Sequence, residues 1–231
     1  MSATPATSAS TETPQGFAEQ LRQSCWDDWN ACVQHRFVDE IFDGSLSDAV
    51  LRRYLVQDYQ FINRFVALLG AAIASADVFA PRVTLSQFAA MITSDENTYF
   101  LRSFDILNVP EAERLQPALN APTIAFEQLM HEAAQSLNYA NCIAVLAVAE
   151  GLYLDWADQA AKKHLPLPVR FEHAEWITLH ANDFFRGFVA WLRSELDRVA
   201  PSLSAEAKAQ ATSYFQRAVK LERQFFDHVY A

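Results

Sequence analysis

Glycine, cysteine and positive charge are all scarce in this chain of 231 residues. Its five glycines form no glycine-rich turn of the kind that brings a Rossmann or P-loop backbone close to phosphate, which argues against nucleotide-phosphate chemistry. Lysine and arginine number 18 against 28 acidic residues, so the net charge is −10. Because phosphate backbones bind basic surfaces and the sequence has no basic stripe, we expect no nucleic-acid partner.

The three cysteines, Cys25, Cys32 and Cys142, are odd in number and have no C-x-x-C spacing. This pattern predicts reduced thiols in a cytoplasmic protein rather than a disulfide framework or a zinc site. No apolar run approaches the roughly 18–20 residues that a membrane helix needs, so no membrane partner is expected. Residues 1–15 are rich in Ser, Thr, Ala and Pro and lack the features of a signal peptide. We interpret them as a disordered N-terminal tail.

Residues 16–231 are predicted to form a single all-α domain. Hydrophobic residues make up 51% of the chain, including 17 phenylalanines, which is ample material for a core. Apolar residues recur at helical rather than strand spacing, as at Leu51, Leu55, Ile62, Phe65 and Leu69. The pattern predicts a bundle of seven to eight helices, over about 17–41, from Ser47 onward, 84–107, 111–115, 122–136, 141–163, 171–199 and 204–230.

Four carboxylates share a helical face with apolar residues, and they are Asp58, Glu96, Glu150 and Glu222. Residues spaced by three, four or seven positions project from one side of a helix, so these side chains are predicted to point into the core. An unpaired buried carboxylate is costly. Each therefore has either a structural partner or a role in ligand binding or catalysis, for which burial raises the carboxyl pKa. Both explanations stay open at this stage.

Several segments of the chain resemble the TenA family, which includes thiaminase II and aminopyrimidine aminohydrolases. They are the run LRRYLVQDYQFI from Leu51 to Ile62, His35-Arg-Phe-Val with the later Asp43-Gly-Ser-Leu, residues 176–185, and Glu222-Arg-Gln-Phe. The resemblance implies a haem-oxygenase-like helical bundle without haem or another cofactor, assembled as a homodimer or homotetramer. It also implies a pocket for an aminopyrimidine derived from thiamin, whose bond to the exocyclic substituent is hydrolysed in thiamin salvage.

The same resemblance assigns roles to individual residues. Asp58 matches the family aspartate that binds the aminopyrimidine, and Glu222 matches the glutamate proposed as acid/base. Aligned on Tyr153, the position of the family's nucleophilic cysteine is Ala149, with Glu150 beside it. The chain therefore looks like the branch without the catalytic cysteine. Glu150 and Glu222 are its expected catalytic residues, and a thiolate mechanism is not expected.

The predicted substrate-binding residues are Asp58, Phe61, Phe126, Tyr153 and His180. Phe61, Phe126 and His180 stand where the family carries tyrosines. Phenylalanine keeps the stacking area for a pyrimidine but lacks the hydroxyl that would hold a polar group. The resemblance therefore implies a pocket more apolar than usual, with a substrate that can differ from the family's usual one.

Two alternatives remain from the sequence. The first is a non-catalytic protein that binds aminopyrimidines or another small molecule, favoured by the missing tyrosine hydroxyls. The second is a haem-oxygenase-like di-iron oxidase, for which Glu96, Glu150, His173 and His180 match part of the ligand pattern. Two expected ligand positions hold Ile177 and Ser103, which leaves that site incomplete, and no metal is predicted.

Overall fold

The computed structural model describes residues 15–162 and 166–231, and every regular element in these ranges is helical. The all-α prediction is confirmed; the predicted tail lies outside the described residues except for Gln15. The α-helices are α1 Phe17–Ser24, α2 Trp26–Val33, α3 Arg36–Asp43, α4 Asp48–Ser75, α5 Phe79–Met91, α6 Asn97–Ile106, α7 Glu111–Leu115, α8 Ala121–Gln135, α9 Tyr139–Lys162, α10 Phe171–His180, α11 Asp183–Val199 and α12 Ala205–His228. A π-helical turn, Ile92–Glu96, joins α5 to α6, and a short 3₁₀ turn, Ala200–Ser202, follows α11.

The helices are more numerous than the seven to eight predicted, because the chain breaks at residues that are neither glycine nor proline. The single helix expected over 17–41 is three helices, interrupted at Cys25 and at Gln34. The ring of His35 then caps α3 by accepting a hydrogen bond from the backbone N–H of Phe37. The helix expected over 171–199 is likewise divided, where Asn182 caps α11 by accepting from the N–H of Phe185.

Other helix ends agree with the sequence. Ser47 caps α4 by accepting from the N–H of Val50, and Gly44 ends α3 in the left-handed conformation with φ of 75°. The third predicted helix begins earlier than expected, at Phe79. Pro81 then lies in its first turn, where the missing N–H of proline is tolerated.

Helix α9 runs through the middle of the bundle and packs against α12, α11, α4, α2 and α8. Within the described residues it contains the one segment, Tyr139–Gln159, that is long and apolar enough to cross a membrane by length and composition. The expectation that no apolar run approaches this length was therefore wrong. The segment is 94% buried inside the protein, so its hydropathy is that of a core helix.

Candidate active site

Helices α4, α9 and α10 and the π-helical turn line a small, partly open cavity. Its volume is about 20 Å³, roughly the space of one water molecule. It is lined by Asp58, Phe61, Ile62, Glu96, Ala149, Glu150, Tyr153, Trp176 and His180. A cavity with room for about one water molecule is too small for an aminopyrimidine ring, so such a ligand can bind in it only if lining side chains move.

Local helix geometry explains how these side chains converge. On α4, Asp58 and Phe61 are three residues apart, and on α9 Glu150 and Tyr153 have the same spacing, so each pair lies on one helical face. Glu96 is the last residue of the π-helical turn. A π turn holds more residues than an α turn and occurs often at functional sites. In this protein it carries a carboxyl group to the wall of the cavity.

Six carboxylate side chains are buried in the described chain, and they fall into two groups. Glu172 forms an ion pair with Arg170, and Glu195 forms one with Arg198 at 2.8 Å. The other four are 3–7% exposed, and no arginine or lysine pairs with them: Asp58, Glu96, Glu150 and Glu222. We call these four the acid cluster. Unlike the first group, they have no basic partner that offsets the cost of their burial.

Burial is the largest influence on the pKa of every carboxyl in the acid cluster, and it raises each of them. It raises the pKa of Asp58 to about 8, and the nearby Tyr54 hydroxyl offsets part of that rise. The pKa values of Glu96 and Glu222 are raised further by the charge of Asp58. The pKa of Glu150 is raised by burial and then by Glu96, Glu222 and Asp58 together. The four groups therefore titrate as one interacting set.

The raised pKa of Asp58 predicts that stability falls as pH rises. Between the ordinary aspartate value of 3.8 and about 8, the folded protein keeps a proton that the unfolded chain releases. The stability that this proton contributes is fully present below pH 3.8. It decreases as pH rises from there and is lost once pH passes about 8. Asp58 alone should lower the free energy of unfolding by about 1.4 kcal/mol per pH unit between pH 5 and 7. Urea unfolding at several pH values measures this slope, and an equally steep slope in Asp58→Asn would contradict the assignment to Asp58.

His180 lies in the cavity wall as a neutral acceptor. Its Nδ1 lies 2.8 Å from the backbone carbonyl oxygen of Trp176, which can only accept, so Nδ1–H donates and Nε2 keeps its lone pair. Burial lowers the pKa of His180 to about 4, which keeps the ring uncharged at neutral pH. Nearby, the hydroxyl oxygens of Tyr54 and Tyr153 form a hydrogen bond of 2.6 Å.

The structure brings most of the predicted site residues together. Asp58, Phe61, Glu150, Tyr153 and His180 all line the cavity.

Two predicted residues lie close to the cavity without lining it. Glu222 is 3% exposed and belongs to the acid cluster, since the charge of Asp58 raises its pKa, but it is not among the residues that line the cavity. Phe126 packs edge-to-face on Phe61, with ring centroids 4.9 Å apart, and so supports the wall from behind.

Sequence reasoning missed three contributors to the site. Ile62 and Trp176 line the cavity, and Tyr54 forms the hydrogen bond with Tyr153. The sequence does contain a signal for Tyr54, because this residue lies one helical turn before Asp58 and therefore on the same face of α4. The sequence contains no such signal for Trp176, because a tryptophan that lines a cavity and one that only packs in the core have the same sequence pattern.

The ligand set of the di-iron alternative is only partly assembled. Glu96, Glu150 and His180 line the cavity, but His173 does not, and neither of its buried ring nitrogens has a hydrogen-bond partner. Among the described residues, no group of three or more histidine, cysteine or acidic side chains has the geometry to hold a metal ion. The side chains present therefore do not fit a di-iron centre.

A surface groove of about 470 Å³ lies next to the cavity. It is lined by Tyr59, Gln60, Ile62, Asn63, Val66, Ile92, Thr93, Asn97, Arg114 and Leu115. Ile62 lines both the groove and the cavity. Its side chain therefore lies between the groove and the cavity.

Comparison with solved structures defines the class of fold. A protein from Shewanella denitrificans described as having a heme oxygenase-like fold superposes with a TM-score of 0.64 at 14% identity, covering 92% of this chain and 91% of that one. A TenA homologue from P. horikoshii superposes with a TM-score of 0.80 at 18% identity, covering 94% and 99% of the two chains. The protein is thus a haem-oxygenase-like helical bundle, as the sequence predicted.

Sequence comparison identifies the family. The model of the TENA/THI-4/PQQC family matches residues 23–231, and the chain belongs to this family. An aminopyrimidine aminohydrolase of Halalkalibacterium halodurans is 27% identical over 220 residues, covering 93% of this chain and 95% of that protein. A second aminopyrimidine aminohydrolase, from Bacillus subtilis, is 25% identical over 217 residues, covering 93% and 89%. The predicted resemblance to the TenA family is confirmed.

Proposed function

We propose that this protein is a hydrolase that acts on an aminopyrimidine formed by thiamin degradation, in thiamin salvage, and that it uses carboxylates in place of a cysteine nucleophile. The observation that carries the proposal is the acid cluster, which has no basic partner although the two other buried carboxylates each have an arginine. The relatives named aminopyrimidine aminohydrolase support the same substrate class.

Asp58 is the proposed anchor for the pyrimidine ring. The ring nitrogen and the adjacent amino group of an aminopyrimidine form an amidine-like edge, and a carboxylate matches such an edge with two parallel hydrogen bonds. Phe61 and Trp176, which line the same cavity, offer aromatic faces and edges to the ring. Phe126 supports the substrate site indirectly by packing on Phe61. Tyr153 and His180 complete the proposed substrate contacts, with Nε2 of His180 as an acceptor.

Glu150 and Glu222 are the proposed acid and base. In the reaction, a water oxygen forms a bond to the exocyclic carbon of the pyrimidine while the bond from that carbon to nitrogen breaks. One carboxylate takes the proton from the water, and a carboxyl group keeps the departing nitrogen protonated, so the products are a hydroxymethylpyrimidine and an amine or ammonia. Interacting carboxyls suit this division of roles, because one can hold a proton while another is ionised.

A thiolate mechanism has no suitable cysteine in this chain. Ala149 lies in the cavity wall where the family resemblance expects the nucleophile. Cys142, on the same helix, is about two turns away. Burial raises the pKa of Cys142 to about 12, so its thiol is protonated at neutral pH and is a poor nucleophile.

Two measurements on the wild-type protein test the proposed function. Calorimetry with 4-amino-5-aminomethylpyrimidine should detect binding, and an ammonia assay should detect its hydrolysis. Binding without ammonia release would support the alternative of a non-catalytic binding protein, which the missing hydroxyls at Phe61 and Phe126 favour. Absence of both would contradict the proposal. Light scattering of the same sample tests the proposed homodimer or homotetramer.

A further inference from the structure

Glu96 has no role in the proposed reaction, although it is among the best buried polar groups of the site. Its side chain is 4% exposed and lines the cavity together with Asp58 and Glu150. No basic residue pairs with it. A buried carboxyl without a partner destabilises the fold, so a function must account for its presence.

We propose that Glu96 is a specificity-determining residue that binds the exocyclic nitrogen of the substrate as an ammonium group, so that the site selects aminomethylpyrimidines over neutral analogues. This inference rests on the proposed function and names its substrate class more narrowly. Three features of the site carry it, namely its charge, its hydrogen-bonding groups and the position of Glu96.

The charged and polar groups around Glu96 favour a cation. Asp58 lines the cavity with it from α4, Glu150 from α9 and the uncharged His180 from α10, while Glu222 on α12 is close enough for its charge to raise the pKa of Glu150. No lysine or arginine lines the cavity within the described chain. Burial and the neighbouring acids favour the protonated form of these carboxyls, whereas a cationic ligand favours the ionised form that binds it.

The hydrogen-bonding groups of the cavity also favour a cationic ligand. Phe61 contributes no hydroxyl to the cavity, and the hydroxyl of Tyr153 is already bonded to that of Tyr54. Nε2 of His180 can accept a hydrogen bond but cannot donate one. Apart from Trp176, the lining therefore offers acceptors and acidic groups, which suit an ammonium group with its three N–H donors.

The position of Glu96 places it beside the route that an exocyclic substituent would take. Its neighbour in sequence, Asn97, lines the surface groove, and Ile62 separates that groove from the cavity. A pyrimidine ring held by Asp58, with its substituent toward the groove, brings the substituent past Glu96. The π-helical turn that ends at Glu96 provides this placement.

The test compares two ligands in three variants. Calorimetry should show that Glu96→Gln weakens binding of 4-amino-5-aminomethylpyrimidine about 10- to 100-fold, the loss expected for one charged hydrogen bond, and changes binding of the neutral hydroxymethyl analogue less than threefold. Glu96→Asp, which keeps the charge, should keep most of the preference for the amine. Asp95→Asn is the matched control, because Asp95 is an exposed acid on the same π turn and should affect neither ligand.

The outcomes separate the two proposals. Equal weakening of both ligands in Glu96→Gln, or no weakening of either, would overturn the role of Glu96 while leaving the proposed function intact. Wild-type protein that binds neither ligand would overturn the proposed function itself. Circular dichroism shows whether each variant is folded. If Glu96→Gln does not fold, the preference of Glu96→Asp for the amine over the hydroxymethyl analogue provides a second test.

Discussion

Replacing Glu150 by glutamine should abolish hydrolysis of an aminopyrimidine while leaving its binding almost unchanged. Glutamine keeps the volume and polarity of the side chain but cannot take up or release a proton. Loss of one positioned acid or base lowers turnover by about 10²–10⁴-fold, so we expect kcat to fall about 1000-fold. Calorimetry should show ligand affinity within threefold of wild type, because Asp58 and the aromatic lining remain.

Glu195→Gln is the matched control for this experiment. Glu195 is 5% exposed, about as buried as Glu150 at 7%, but it pairs with Arg198 outside the cavity. Its replacement should lower stability and leave kcat within threefold of wild type. Wild-type turnover in Glu150→Gln, or equal loss in both variants, would contradict a catalytic role for Glu150.

Replacing Asp58 by asparagine should weaken ligand binding and at the same time stabilise the empty protein. Asparagine cannot give a proton to the ring nitrogen and then accept hydrogen bonds from the amidine-like edge as a carboxylate, and a hydrogen bond to a charged group contributes about 1.5–3 kcal/mol, so affinity should fall about 10- to 100-fold. The unliganded protein should unfold at a higher temperature at pH 7–8, because a buried carboxyl with a raised pKa is removed.

These opposite changes distinguish a functional residue from a structural one. Calorimetry and thermal unfolding of the same sample measure both. A structural Asp58 would lose stability and affinity together on replacement. Glu172→Gln provides the comparison, since Glu172 pairs with Arg170 and its replacement should only destabilise the protein.

Helical spacing in the sequence predicts the acid cluster. Asp58, Glu96, Glu150 and Glu222 each have apolar neighbours three and four residues away, and all four are buried. The spacing gives the direction of a side chain but not its depth. It therefore could not show that Phe126 lies behind Phe61 rather than in the cavity wall.

Other features of the fold had no clear signal in the sequence. The breaks at Cys25 and Gln34 involve neither glycine nor proline, and the amphipathic pattern continues across them. The π-helical turn adds a residue to one turn of a long helical run, and a search for 3.6-residue periodicity does not detect such an insertion. The small size of the cavity depends on how side chains from several helices pack together, which spacing along one helix cannot give.

Ammonia release from 4-amino-5-aminomethylpyrimidine by a variant without thiols tests the central claim most directly. The variant replaces Cys25, Cys32 and Cys142 with alanine, which removes every cysteine in the chain. If buried carboxylates carry out the hydrolysis, this variant should keep kcat within about threefold of wild type, while Glu150→Gln measured beside it loses about 1000-fold. A folded thiol-free variant that has lost its activity, beside a Glu150→Gln variant that keeps it, would contradict the claim.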